Sequence, residues 1–309
     1  MNDIYTWSSD LYPIVKKSFD ERYNSRMNII GSVAGIVKQD ALEYSTQNIG
    51  GYGALQKYTG NTLTYADTTG TFETKIKPDE HALALPVSFK SIKNNSVEEA
   101  RKIGIRLADS AYMTVLSAFY KFFSTARTTG CYDGVSVANA NHLVKKGGTT
   151  KFSNIMTAEL SLGAICDAQE QAGGFVTADG LPFLSNFDLL LVSPELEEKA
   201  KSICGADARV CPQSNPETGL GANPAYGMRY MVIGGASTKF AATEWAVADS
   251  SLLREVFKLV YITEPTVLVS PRENPLVCDY IAYVDFAFGI SDARPIIFAK
   301  PAPASEEGY

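Results

Sequence analysis

The clearest hydrophobic pattern in the chain covers residues 96–125, where small and apolar side chains return every three or four positions. The segment opens with Ser96-Val-Glu98-Glu99, a capping box in which Ser and Glu satisfy free N–H groups at a helix start. Its first turns carry a polar face, whereas its last turns are apolar almost all round. We therefore predict a long helix, spanning roughly 45 Å, that starts at a surface and ends in a core.

Weaker helical signals lie elsewhere in the chain. Residues 10–26 carry apolar side chains at helical spacing. A helix is predicted over residues 157–172, because Gly173-Gly174 is a good C-terminal stop. Another is predicted to begin at Ser193-Pro194, with serine as N-cap and proline in the first helical position. The preceding apolar run makes this a strand, tight junction and helix, which is typical of an α/β element with a buried strand.

Strict alternation of apolar and polar positions predicts strands. Residues 83–89 alternate from Leu83 to Phe89, which is typical of a half-buried strand, and Pro86 favours an edge position because it cannot donate to a ladder. Residues 276–288 alternate in the same way over a longer stretch. Shorter strands are predicted at residues 187–193, 229–234, 243–248, 255–262 and 295–298.

The first ninety residues have no evident core of their own. We interpret residues 1–49 as an arm of polar, mixed composition. Residues 50–92 form a tract that is rich in turns and in Thr, Gly, Tyr and Lys. We interpret the second tract as a long two-stranded excursion. Because an isolated two-stranded hairpin is marginal in water, such a hairpin needs another subunit to lie on.

Composition narrows the function. The net charge of −6 and pI of about 5.1 argue against a dedicated nucleic-acid binder and are compatible with a protein that encloses nucleic acid without gripping it. The five cysteines form no C-x-x-C pair and are odd in number, which favours a reducing compartment. Neither a signal peptide nor an apolar run of membrane-spanning length is seen, so we expect a soluble protein made in a cytoplasm.

Candidate chemistry is sparse, and we predict no catalytic, cofactor-binding or metal-binding residues and no cofactor. His142 is interpreted as a turn histidine that hydrogen-bonds the backbone, and His81 as a solvated hairpin residue. Glu197-Glu198 complements a helix dipole, and the glycine runs at residues 50–53 and 219–221 match no phosphate loop. The cysteines Cys131 and Cys278 are interpreted as small apolar packers.

One covalent possibility stays open. A lysine on an exposed loop can form an isopeptide bond with an asparagine of a neighbouring subunit when a buried carboxylate assists. The candidates are Lys57, Lys75 and Lys77. The alternative, which we favour, is solvated charge that keeps exposed strands from aggregating.

The order of these parts along the chain is similar to that found in a known protein family. Two local segments carry the resemblance: Cys131-Tyr-Asp-Gly134 through His142 to Phe152-Ser-Asn154, and Asp179-Gly-Leu-Pro182 followed by Leu189 to Leu196 and Ala200. Together with the arm, the extended tract and the long helix, the chain resembles the major capsid protein of tailed bacteriophages, a fold shared with encapsulins and herpesvirus floor domains. The likeness covers nearly the whole chain.

The resemblance implies an α+β fold divided into named parts. These are an N-terminal arm (1–49), an extended β-hairpin loop (50–92), a peripheral domain (93–150 and 271–300) with spine helix 96–125, an axial domain (151–270) and a flexible tail (301–309). Many relatives begin with a scaffolding segment that a protease removes. Here an arm follows Met1, so we expect either separate scaffolding or a mature form.

The resemblance also implies a function. We expect a structural subunit, not an enzyme, that self-assembles as pentamers and hexamers into an icosahedral head shell around double-stranded DNA. It would be assembled in the host cytoplasm and located in the virion capsid, with portal and scaffolding or decoration proteins as partners and no membrane. The alternative is an encapsulin-like compartment for cargo enzymes. A tail-tube protein is disfavoured by the long helix, and an enzyme by the thin set of titratable residues.

Overall fold

The fold is a mixture of helices and sheets in two compact units, each described here by itself. The computed structural model describes residues 4–48, 55, 58, 71–88, 90, 96–205, 210–211, 221–271 and 277–302. The first unit comprises Met1–Ser45, Lys75–Phe119 and Lys258–Gly289. The second comprises Thr46–Thr74, Tyr120–Phe257 and Ile290–Tyr309.

The structure confirms the helices predicted at 10–26 and 96–125. Six α-helices have described bounds. They are α1 (Ile4–Arg26), α2 (Asn28–Gly31), α3 (Ser96–Ser124), α4 (Leu162–Gly173), α5 (Glu197–Cys204) and α6 (Ser250–Val256). The segment predicted at 10–26 lies within α1, and the long helix predicted at 96–125 is α3. Their apolar spacing therefore identified both helices correctly.

The described residues contain fifteen strands. They are β1 (Gly35–Lys38), β2 (Tyr44–Gln47), β3 (Glu73–Ile76), β4 (Asp79–Ser88), β5 (His142–Leu143), β6 (Lys151–Phe152), β7 (Ile155–Met156), β8 (Leu189–Val192), β9 (Val210–Cys211), β10 (Gly221–Ala222), β11 (Arg229–Val232), β12 (Trp245–Ala248), β13 (Phe257–Pro271), β14 (Val277–Ile290) and β15 (Ile296–Ala299). Of these, β4 and β14 are the two that the alternation in the sequence predicted.

The first unit is built on a four-stranded sheet in the order β1-β13-β14-β4. Strand β1 runs parallel to β13, and β4 runs antiparallel to β14. Helix α1 contributes buried side chains at Val15, Phe19 and Tyr23, and the Tyr23 hydroxyl lies 2.8 Å from that of Tyr261 on β13. Burial of these apolar faces, at about 25 cal/mol per Å², is the main source of stability.

The second unit is built on a five-stranded sheet in the order β11-β8-β12-β15-β7. All four residues of β8, β12 and β15 are buried, which explains why these strands read as continuous apolar runs. Trp245 of β12 is fully buried and donates its indole N–H to the carbonyl of Ala158 at 3.1 Å. The predicted strand-to-helix element is present as β8 followed by α5.

Two predicted boundaries were wrong because a local cap decides them. Helix α4 begins at Leu162 and not at 157, since the Ser161 hydroxyl accepts from the Ala164 N–H at 3.1 Å. The strand predicted at 255–262 begins only at Phe257. The residues before it form α6, whose N-cap carboxylate, Asp249, accepts the N–H groups of Ser251 and Leu252.

Ser193 lies at the N-cap position and Pro194 at the first helical position, as predicted, but the serine makes no side-chain capping bond. Its hydroxyl donates to the carbonyl of Ala242 at 2.9 Å, which ties the end of β8 to a distant loop. Pro194 instead opens a single 3₁₀ turn, Pro194–Leu196, that leads into α5. The hydroxyl was predicted to satisfy a nearby N–H but has a long-range acceptor, which sequence spacing does not reveal.

The extended tract also differs from the prediction. Strand β4 is at a sheet edge, as Pro86 indicated, but it pairs with β14 along its whole length and so is not half of an isolated hairpin. It is also less buried than predicted, since Leu83 is 52% exposed and only Val87 is buried. The two-stranded pairing is made by β2 and β3, so it starts before residue 50. Residues 59–70 and Phe89 lie outside the described residues.

Candidate assembly surface

The open side of β4 is the most exposed edge of a sheet in the first unit. Its ten residues pair with β14 from Ser88↔Val277 to Asp79↔Phe286, and β4 is the last strand in the sheet order. The first six residues of β4 are all exposed, including Leu83. A long exposed edge carrying an apolar side chain is a template on which another chain can pair.

An acidic group lies beside this edge. Asp285 of β14 is directly opposite Glu80 of β4, and Asp79 is the next residue along. Asp285 is only 6% exposed, and its Oδ1 atom has no hydrogen-bond partner among the described residues. Burial, followed by the charges of Glu80 and Asp79, raises the pKa of Asp285, while His81 opposes the shift. Sequence reasoning missed this group, although the alternating pattern of both strands puts the two carboxylates on one face.

The predicted hairpin lysines are solvated and share a carboxylate. The ammonium groups of Lys75 and Lys77 lie 3.4 Å and 3.7 Å from the carboxylate of Glu43, and both lysine side chains are exposed. Exposed pairs of this kind contribute little stability, about 0–1 kcal/mol. Lys57 lies outside the described residues. The isopeptide possibility stays a prediction, and the arrangement suits solvated charge near an exposed edge.

His142 bonds the backbone as predicted, and it also has a carboxylate partner. Its ring Nε2 lies 3.1 Å from the carbonyl of Val137, and its Nδ1 lies 2.9 Å from Asp133 Oδ2. The side chains of His142 and Asp133 are both fully buried. Burial raises the pKa of the nearby Cys131 thiol. Sequence analysis treated these three residues separately; the only signal was their closeness in one loop, Cys131-x-Asp133 and then His142.

The remaining candidate residues have surroundings that fit structural roles. His81 is exposed, with its ring centroid 4.9 Å from that of Phe286. Cys278 is buried, and Glu197 and Glu198 occupy the first turn of α5, as predicted. The described cysteine side chains, Cys131, Cys166, Cys204 and Cys278, form no disulfide with one another. In the described part of the chain, no helix is long and apolar enough to cross a membrane.

The model of one protein family, described as phage capsid protein, matches residues 46–298. This chain belongs to that family. The match takes in most of the chain and parts of both compact units, although strand β1 (Gly35–Lys38) lies before it. Comparison with curated proteins finds no significant match for this capsid protein.

Solved structures share the fold of this capsid protein at low sequence identity. The capsid of a native GTA particle aligns with a TM-score of 0.55 and 14% identity, covering 88% of this chain and 89% of the other. The capsid of Ralstonia phage GP4 aligns with a TM-score of 0.51 and 14% identity, covering 89% and 87%. An encapsulin complex from Synechococcus elongatus gives 0.51 and 7% identity, covering 93% and 90%. The fold is that of phage major capsid proteins.

Family and fold together define the role of the chain. It is a structural subunit of a phage capsid, and it associates with copies of itself in the shell of the virion. For such a protein the functional residues are those that meet neighbouring subunits. The exposed edge of β4 is the described feature best suited to that task.

Proposed function

We propose that this capsid protein assembles as pentamers and hexamers that close an icosahedral phage head around double-stranded DNA. The observation that carries the proposal is the edge of β4, the last strand of its sheet among the described residues, which carries Leu83 in a run of six exposed residues. A monomer gains nothing from such an edge, whereas a shell subunit uses it to contact its neighbours. The likeness to capsids of assembled particles supports the proposal.

The same proposal assigns a role to each part of the chain. Residues 1–49 act as the arm, 50–92 as the extended loop that reaches a neighbour, and 301–309 as a tail. The peripheral domain takes 93–150 and 271–300, with α3 as its spine, and the axial domain takes 151–270. The five-stranded sheet of the second unit supports a separate core for the axial domain, although its strand β15 lies beyond residue 270 and strand β13 belongs to the sheet of the first unit.

The proposed partners rest on the net charge, in the case of DNA, and on the family resemblance, in the case of the proteins. A net charge of −6 disfavours tight binding of DNA phosphates. DNA would therefore be enclosed without sequence-specific contacts. We expect assembly in the host cytoplasm together with portal and scaffolding or decoration proteins.

An encapsulin-like compartment is the alternative. The structural likeness to an encapsulin complex favours it, because the alignment covers 93% of this chain. The contents of purified particles distinguish the two functions. Nuclease-protected double-stranded DNA supports the phage head, and packaged enzyme without DNA supports the compartment.

Substitution at the open edge tests the proposal directly. Leu83→Lys leaves β4 paired with β14, because Leu83 already faces solvent, but it places a charge where a neighbour would bury it. That change weakens each contact by more than about 1.4 kcal/mol, a tenfold loss in binding constant. We expect the variant to stay folded by circular dichroism and to sediment as unassembled subunits.

The matched controls are Leu83→Ala and Leu184→Lys. The first removes the side chain without adding charge and should reduce shell yield only in part. The second adds the same charge at an 86% exposed leucine outside the sheets and should assemble normally. Shells of Leu83→Lys with normal size and yield would contradict the role of this edge.

A further inference from the structure

Three metal-ligand side chains of different chemistry converge in the loop region after α3. The Cys131 thiol, the Asp133 carboxylate and the His142 imidazole each offer one ligand atom, and these atoms all lie within 4.8 Å of one another. Two close turns hold the loop, since the Cys131 N–H donates to the carbonyl of Val135 and the Gly134 N–H to that of Cys131. The backbone therefore fixes where the thiol and the carboxylate sit.

The hydrogen bonds of His142 determine which ring nitrogen faces the cluster. A carbonyl oxygen only accepts, so the Nε2 atom beside Val137 carries a hydrogen. In the neutral ring, Nδ1 then presents a lone pair towards Asp133 Oδ2 at 2.9 Å. Two lone pairs at that distance repel unless a cation lies between them. A proton meets this need, and so does a metal ion with the thiol as its third ligand.

The surroundings hold the imidazole and the carboxylate rigidly. The His142 ring is stacked between Tyr132 and Phe152, with centroid distances of 5.9 Å and 5.2 Å. Asp133 Oδ2 also accepts the N–H of Leu143 at 3.1 Å. A metal-binding histidine usually donates its other ring N–H to an outer-shell acceptor such as a backbone carbonyl. The ligands are thus oriented before any ion arrives.

We propose that Cys131 Sγ, Asp133 Oδ2 and His142 Nδ1 bind a zinc-class divalent ion, with water in the fourth position. Sulfur, imidazole and carboxylate are the donor set that Zn²⁺ takes, and hard ions such as Mg²⁺ avoid thiolates. A dication with one thiolate, one carboxylate and a neutral imidazole has no net charge, which suits a buried site. The ion links residues 131, 133 and 142 of one loop, and the site is independent of the proposed shell function.

Cobalt titration of the purified full-length protein tests the site. After removal of metals with a chelator, we expect about one equivalent of Co²⁺ to bind and to show the sulfur-to-cobalt charge-transfer absorption of a thiolate ligand. Cys131→Ser should abolish that absorption and weaken binding by about 100-fold. Cys166→Ser, at an exposed cysteine, is the matched control and should keep both.

A stability measurement covers variants in which the cluster is disturbed. Zn²⁺ should raise the Tm of the wild type and of Cys166→Ser but leave Cys131→Ser unchanged, because only a ligand bound to the folded state stabilises it. Equal Co²⁺ absorption in the wild type and Cys131→Ser would overturn the proposal, and so would wild-type protein that binds no ion. In those cases a proton alone bridges His142 and Asp133.

Discussion

Asp285 shows how a single buried carboxylate couples the stability of this protein to pH. It lies opposite Glu80, nearly buried, with one oxygen unpartnered among the described residues. Its raised pKa means that the folded state holds the proton more tightly than the unfolded state does. Stability is therefore lost as the pH rises above the ordinary aspartate pKa of about 4 and through the raised value.

Replacing that carboxylate by an amide should stabilise the protein. Asp285→Asn removes the like-charge pair with Glu80, and we expect the free energy of unfolding at pH 7 to increase by about 1 kcal/mol. The gain should shrink as the pH falls towards 4, because protonation then neutralises Asp285 in the wild type as well. Denaturant unfolding of the unassembled protein at several pH values measures this.

The control for this prediction is an exposed carboxylate. Asp40→Asn changes the same atoms in an exposed position and should leave the unfolding free energy nearly unchanged at every pH. An Asp285→Asn variant that is less stable than the wild type at pH 7, or whose gain does not vary with pH, would contradict the account.

Residue-scale features were the hardest to predict from the sequence. The pairing of β4 with β14 sets Asp285 against Glu80, and a loop closure sets Cys131 beside Asp133 and His142. Sequence patterns give the face on which a residue lies but not its partner across a sheet or a loop. That is why the histidine was assigned a backbone bond alone.

At the scale of elements, helix α3 depends on one close approach. A Cβ atom at Gly104 would lie 2.4 Å from the carbonyl of Val15 on α1 and 3.0 Å from Ser18 Cβ. The glycine thus allows the backbones of α1 and α3 to pack together within the first unit. The side chains around it that are buried include Phe19 and Leu107.

Gly104→Ala should destabilise the protein, although alanine is the better helix former. Overpacking against a backbone carbonyl costs about 1–3 kcal/mol, which exceeds the gain of about 1 kcal/mol in helix propensity. In contrast, a Cβ at Gly163 of α4 meets only the Ser161 hydroxyl at 4.0 Å. Gly163→Ala should therefore be neutral or slightly stabilising, and thermal unfolding of both variants decides the matter. Gly104→Ala at or above wild-type Tm would refute the packing.

Helices and strands were predicted well where the hydrophobic pattern repeats many times. They were predicted poorly where a helix cap sets the boundary of the element. Helix α3 and strand β14 carry many repeats of their pattern, so their existence and type were clear. Helix α6 has only seven residues, too few for a period to emerge, and Asp249 defines it through hydrogen bonds to two N–H groups. Such a short helix is fixed by its cap and by packing, and the pattern alone left residues 250–254 unassigned and predicted strand from 255.

At the scale of the whole molecule, the chain combines two well-packed sheets with a sheet edge that is exposed among the described residues. The sheet of the second unit is buried strand by strand, whereas that of the first unit ends in the exposed β4. The order of the parts along the sequence was sufficient to identify the fold of phage major capsid proteins. The number of subunits and the size of the shell depend on contacts between copies, which no single chain encodes in its own periodicity.

Cryo-electron microscopy of the purified, expressed protein shows whether the chain builds a shell by itself. We expect closed icosahedral shells, in which clusters of five and six subunits meet and β4 lies against a neighbouring copy. Monodisperse monomers under all assembly conditions, or particles in which the β4 edge faces solvent, would contradict this expectation.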